Sequence, residues 1–126
     1  MEIKKVYEDK RGYIQVIENF PKEGEEYVVL EIKKGAARGG CYHLKDEYYA
    51  VISGKLEYME GPIGGPYNKS LLATGNGGTN KANFSHAFIA LEDSIIAEWG
   101  LTLPEKTLDI KDSKLLRIVN KMNKKL

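Results

Sequence analysis

The chain has 126 residues and a mass of 14.2 kDa, a length that fits one domain with a hydrophobic core of its own. Nineteen Lys and Arg against 18 Asp and Glu leave a formal charge of +1, which argues against a nucleic-acid binder because such proteins carry a marked basic excess. The composition, 42% hydrophobic and 29% charged with a single cysteine, is globular, excludes an internal disulfide and contains no apolar run near the ~20 residues of a membrane span.

Residues 1–11 are dense in charge and lack the apolar centre of a signal peptide, so a soluble, cytoplasmic protein is expected. A charged turn at 8–12 leads into the apolar run 13–17, and a second run, 27–32, ends at Lys33-Lys34-Gly35. Runs 47–53 and 55–60 flank Ser53-Gly54, which predicts a hairpin. Residues 61–66 and 74–79 read as loops around a short run at 71–73. Runs 86–91 and 94–101 follow, separated by a tight polar turn. The Gly-rich stretch 75–78 lacks a Lys-Ser/Thr finish and precedes no helix, so it is not a phosphate cradle.

No helical period precedes residue 112, and short strands with regular turns predict an all-β sandwich or barrel. One helix is expected at its end. Asp112 can cap it, and Leu115, Leu116, Ile118, Val119 and Met122 share one face. Lys121, Lys124 and Lys125 fall in its last turn, where they favour the helix dipole. The expected organisation is one domain, a barrel over about 1–104 and a helix over about 112–123 that docks on the sheet or on a partner subunit. On the strand 47–53, Glu47, Tyr49 and Val51 face one way and Tyr48, Ala50 and Ile52 the other. Both faces are apolar, which predicts a second sheet on one side and something else on the other. A subunit interface is a candidate for that second cover, so a homodimer is expected.

The chain has two histidines, His43 and His86. On a continuous strand, His43 and Glu47 would stand about 13 Å apart. A bend at Leu44-Lys45-Asp46 would let them share a metal ion or a substrate. Cys41 and His43, two residues apart, point the same way on a strand, so a thiol, an imidazole and a carboxylate converge on one side.

The stretch Arg38-Gly-Gly-Cys-Tyr-His-Leu-Lys-Asp-Glu-Tyr-Tyr-Ala-Val-Ile-Ser-Gly54 resembles the first motif of the cupin superfamily. His43, Glu47 and Gly54 match its last His, Glu and Gly, and Cys41 stands where its first His is expected. The second motif, a His after Pro-x-Gly, is matched at His86. Lys81 replaces the Pro, Asn83 the Gly and Ala90 a later Asn; Asn tolerates the left-handed conformation that the Gly position uses. Arg38-Gly39 and Asp9-Lys10-Arg11-Gly12 are similar to stretches of the nucleotide-sugar 3,5-epimerases and 3,4-ketoisomerases, and residues 39–54 also resemble cupin domains of capsular polysaccharide enzymes.

This resemblance implies a small jelly-roll barrel and a nucleotide-sugar isomerase or epimerase of the dTDP-4-keto-6-deoxyhexose type. Proton abstraction beside a sugar ketone needs a base near working pH and a cation facing the developing charge. His43 is then the base, since Cys41 displaces the first His, Arg38 anchors the substrate, and Tyr49, on the Glu47 face, is a candidate substrate-binding tyrosine. The same resemblance implies an alternative, a divalent metal (zinc, iron, nickel or manganese) held by His43, Glu47 and His86, with Cys41 as a further thiolate ligand or as a small buried residue. A metal site of this kind suits a dioxygenase or a sugar isomerase. A non-catalytic cupin that binds a sugar or another small molecule is the third alternative.

Overall fold

The computed structural model describes residues 2–102 and 109–126; the expected barrel boundary near 104 lies outside them. Among the described residues eleven strands precede one helix: β1 (Glu2–Asp9), β2 (Gly12–Glu18), β3 (Glu26–Ile32), β4 (Ala37–Tyr42), β5 (Glu47–Ser53), β6 (Lys55–Pro62), β7 (Asn68–Ala73), β8 (Gly77–Asn80), β9 (Phe84–Ala90), β10 (Ser94–Trp99), β11 (Ile110–Lys111) and α1 (Ser113–Asn123). They form two antiparallel sheets. One has the order β1-β2-β3-β10-β5-β8 and the other β11-β4-β9-β6-β7.

The strands follow their side chains. In β5, Glu47, Tyr49 and Val51 are buried between the sheets, in the alternation that a half-buried strand requires. Tyr49 and Val51 share one core with Val28, Leu30 and Ile96 of the same sheet and with Leu56, Tyr58 and Phe88 of the facing one. The opposite face of β5 leaves Tyr48 44% and Ile52 52% exposed, so the described residues supply only one of the two expected covers.

Two loop readings are corrected. Ser53-Gly54 is not a hairpin, because β5 pairs with β10 and β8 while β6 pairs with β9 and β7. The chain crosses between the sheets there, at a glycine with φ +107° whose missing Cβ leaves room for Ser94. The stretch 74–79 is not wholly a loop, since Gly77–Asn80 forms the edge strand β8 beside β5. A Cβ on Gly78 would stand 2.6 Å from the Tyr49 hydroxyl, so close approach selects glycine where propensity reads a loop.

The helix takes its expected place. Asp112 caps α1 by accepting from the backbone N–H groups of Lys114 and Leu115. Leu115 and Val119 pack on Ala37, Met59, Ala87 and Ile89, on the outer face of the five-stranded sheet. Asn123 fastens the far end by exchanging hydrogen bonds with both backbone groups of Ala37, at 2.8 and 2.9 Å. Lys124 is already the C-cap, so Lys121 alone of the three lysines lies in the last turn. Among the described residues no helix is long and apolar enough to cross a membrane.

Candidate metal centre

Strand β4 runs beside β9 in the five-stranded sheet, and its register slips between Gly39 and Cys41. One extra residue in a strand reverses the alternation beyond it. Arg38 and Cys41, an odd number of residues apart, therefore both reach the cavity between the sheets. Gly39 (φ +116°) and Gly40 (φ +93°) provide the conformations this needs. After Tyr42 the chain leaves β4, bends through residues 43–46 and enters β5 in the other sheet. The bend replaces the 13 Å of a straight strand with a direct contact, His43 Nε2 lying 3.3 Å from Glu47 Oε1. Its Nδ1 lies 2.9 Å from Asp109 Oδ1 at the rim. His86 arrives from β9, beside Cys41 in register, with its ring 5.3 Å from that of His43. The positive φ of Asn83, +62°, starts β9 in the conformation the motif expects there.

Behind the imidazoles lies a buried polar network. Glu47 is 1% and Glu98 7% exposed. The Nδ2 amide of Asn80 donates to both, at 3.2 Å to Glu47 Oε1 and 2.8 Å to Glu98 Oε2. Its Oδ1 accepts from the Tyr58 hydroxyl at 2.7 Å. Carboxylates only accept when ionised, so this arrangement fixes the amide with its NH2 toward them. Glu98 Oε2 stands 3.9 Å from His86 Nε2. Burial, with the charge of Glu60 next, pushes the Tyr58 hydroxyl far above its ordinary pKa, so it stays a donor.

Arginines stand on the same cavity, which measures about 300 Å³ and has Val28, Leu30 and Phe88 on its apolar wall. Arg38 donates to the Gly12 carbonyl at 3.1 Å and lies 3.6 Å from Asp9 Oδ1. Its Nε is buried without a hydrogen-bond partner among the described residues. Burial, then the like charge of Arg11, lowers its pKa, and Asp9 opposes the change. Asp9 itself is held at about 2, chiefly by the side-chain hydrogen bonds of Arg11.

Of the residues singled out in the sequence, Arg38, Cys41, His43 and His86 line the cavity, and Glu47 touches His43 from behind. Tyr49 does share the inward face with Glu47, but it packs against Tyr58 and Phe88 in the core, with ring centroids 4.9 and 5.2 Å away. The sequence reading did not single out Glu98, Asn80, Asp109 or Arg11 for the site.

The donor set suits a metal ion. Atoms bound to one zinc-sized ion stand roughly 3–4 Å from one another. The ligand atoms of Cys41, His43 and His86 lie within 4.8 Å of one another, and so do those of Glu47, His86 and Glu98. The first group is soft, the second mostly oxygen, and His86 belongs to both.

No family model matches the sequence, and none of the curated proteins is significantly similar to it. Solved structures do share the architecture. The capsular polysaccharide assembling protein CapF from Staphylococcus aureus matches with a TM-score of 0.66 and 19% identity, over 75% of this chain and 27% of its own. An oxalate decarboxylase from Bacillus subtilis matches with a TM-score of 0.72 and 16% identity, over 85% of this chain and 30% of its own. That of Lactobacillus farciminis, solved as a formate complex, has a TM-score of 0.70 and 15% identity, over 85% of this chain and 33% of its own. CapF and oxalate decarboxylase are cupin-fold proteins, and the two-sheet sandwich of this chain is a cupin jelly roll. The chain spans about 30% of the length of the structures it matches.

Proposed function

We propose that this cupin-fold protein is a metal-dependent enzyme that moves a proton beside the carbonyl of a small anionic sugar derivative. The observation that carries the reading is the convergence of Cys41, His43 and His86 on a cavity that also holds two arginines. Cys41, His43 and His86 would hold the ion, with Glu47 behind His43. A divalent ion there supplies a Lewis acid with an open position, able to polarise a carbonyl oxygen. Arg38, whose buried Nε has no hydrogen-bond partner among the described residues, binds an anionic group of the substrate, and Arg11 shares that charge. The Val28, Leu30 and Phe88 wall keeps water from the reacting carbon. The sugar class rests on the motif resemblance and on the likeness to a capsular polysaccharide assembling protein.

Elemental analysis of the untagged protein tests this reading. About one equivalent of zinc, iron, nickel or manganese per chain is expected, and its loss in His86→Ala. A folded protein that holds no metal and takes none up would overturn it.

A second reading, a metal-free nucleotide-sugar isomerase or epimerase with His43 as base, is favoured by one contact. Asp109 Oδ1, 2.9 Å from Nδ1, is a carboxylate that would orient the imidazole for proton transfer. This reading predicts solvent deuterium entering a dTDP-4-keto sugar with chelator present, and none entering with His43→Ala.

A further inference from the structure

We infer that Glu98, which lies outside both sequence motifs, is a metal ligand, and that Asn80 is the residue that presents it. The inference rests on the metal-dependent reading above and extends it to a second, oxygen-rich side of the same centre.

The position of Glu98 is unusual for a glutamate. Its cross-strand neighbours in the six-stranded sheet are Val28 and Tyr49, both buried in the core. It therefore puts a carboxylate into an apolar layer, where an uncompensated charge is costly. A second carboxylate, that of Glu47, is brought to the same amide. Asn80 satisfies one lone pair on each but carries no charge, and on the cavity side the neighbours are imidazoles, His43 at 3.3 Å from Glu47 and His86 at 3.9 Å from Glu98. A divalent cation between the carboxylates and His86 removes that cost, and the ligand atoms of Glu47, His86 and Glu98 already lie within 4.8 Å of one another.

The support behind Glu98 is that of a metal ligand's outer shell. Ligating carboxylates are themselves held by hydrogen bonds that fix which oxygen faces the ion. Here Tyr58 fixes Asn80, and Asn80 fixes Glu98 at 2.8 Å and Glu47 at 3.2 Å. The chain draws these residues from β5, β6, β8, β9 and β10, so strands of both sheets close on one spot. The soft donor Cys41 and the hard donors Glu47 and Glu98 then flank His86 from opposite sheets, a mixed set that serves zinc, iron or manganese.

The test is metal binding by the purified, metal-stripped protein, with Zn(II) and Mn(II) each titrated against a competing chelator. Wild type is expected to take up one equivalent. Glu98→Gln, nearly the same shape without the charge, should bind at least about 100-fold more weakly, and Asn80→Ser roughly 10- to 100-fold more weakly. Glu57→Gln, a substitution on the outer sheet surface, should bind as wild type does. If Glu98→Gln does not fold, Glu98→Asp, which keeps the charge but withdraws it by one methylene, should still lose affinity. Wild-type affinity in the folded Glu98 variant would overturn the inference and leave the metal-dependent reading standing. Failure of folded wild type to take up either ion would overturn the inference, and the same failure with iron and nickel would overturn the metal-dependent reading as well.

Discussion

Cys41 sits where the cupin motif places its first histidine, and its neighbours on the cavity are His43 and His86. A thiolate in that position selects for zinc and against manganese, whereas the oxygen atoms of Glu47 and Glu98 select the other way. Cys41→Ser removes the soft donor and leaves the hard ones. The variant should lose roughly 10- to 100-fold in zinc affinity while its manganese affinity changes little, as read by chelator competition. Equal losses for both ions would make Cys41 a packing residue. The residues of this site divide by how local their signal is. Cys41, His43 and Glu47 lie within seven positions of one another, and their spacing carries the motif. Glu98, Asn80 and Asp109 come from separate parts of the chain and carry no spacing of their own, so only the fold brings them in. Tyr49 shows the limit of face assignment. It does share the face of Glu47, but two residues further along a strand is about 7 Å, enough to leave the site for the aromatic core.

The helix and its cap behave as one element held by a single carboxylate. Asp112 caps α1, accepts from the Ser85 hydroxyl at 2.6 Å, the Tyr67 hydroxyl at 2.8 Å and the Gly64 N–H at 2.9 Å, and is 2% exposed. Burial alone would raise its pKa, but these hydrogen bonds outweigh it and hold the group at about 2, below its ordinary 3.8. A carboxylate whose folded pKa is depressed gives stability that is whole above the unfolded pKa and is lost as the pH falls through the folded one. The window is therefore from about pH 4 down to about pH 2, and the amount is on the order of 2 kcal/mol. Asp9 also sits at about 2, but its side chain is 45% exposed and solvent screening leaves it little weight. Asp112→Asn should thus be less stable than wild type by about 1–3 kcal/mol at pH 7, with the gap closing toward pH 2. Denaturant melts at several pH values measure this, and a gap independent of pH would assign the loss to packing. At this scale the helix was readable because its cap and apolar face are local. Strand β8 was not, since Gly77 and Gly78 are chosen for their closeness to Tyr49 rather than for strand propensity.

Across the whole molecule, strand periodicity predicts a sandwich but does not say which strand joins which sheet. Gly54 and the turn at 91–94 are both short connections, and both pass from one sheet to the other; the first reads as a hairpin in the sequence because closeness in the chain normally means pairing. That partition decides what a bound metal does mechanically. Cys41 and His86 belong to the five-stranded sheet, Glu47 and Glu98 to the six-stranded one. An ion held from both sides is a cross-link through the cavity, at the place where the two sheets are separated by open space rather than by packed side chains. Binding to the folded state alone stabilises it by about 2.7 kcal/mol at 100 times the Kd, which for a chain of this length is a rise in Tm of roughly 10 °C. Adding zinc or manganese to stripped protein should produce that rise, and a chelator should reverse it. Glu98→Gln should show only a small part of the rise at the same metal concentration, since one sheet has lost its hold. A full rise in that variant would place the ion on the Cys41, His43 and His86 side alone, with the six-stranded sheet left untied.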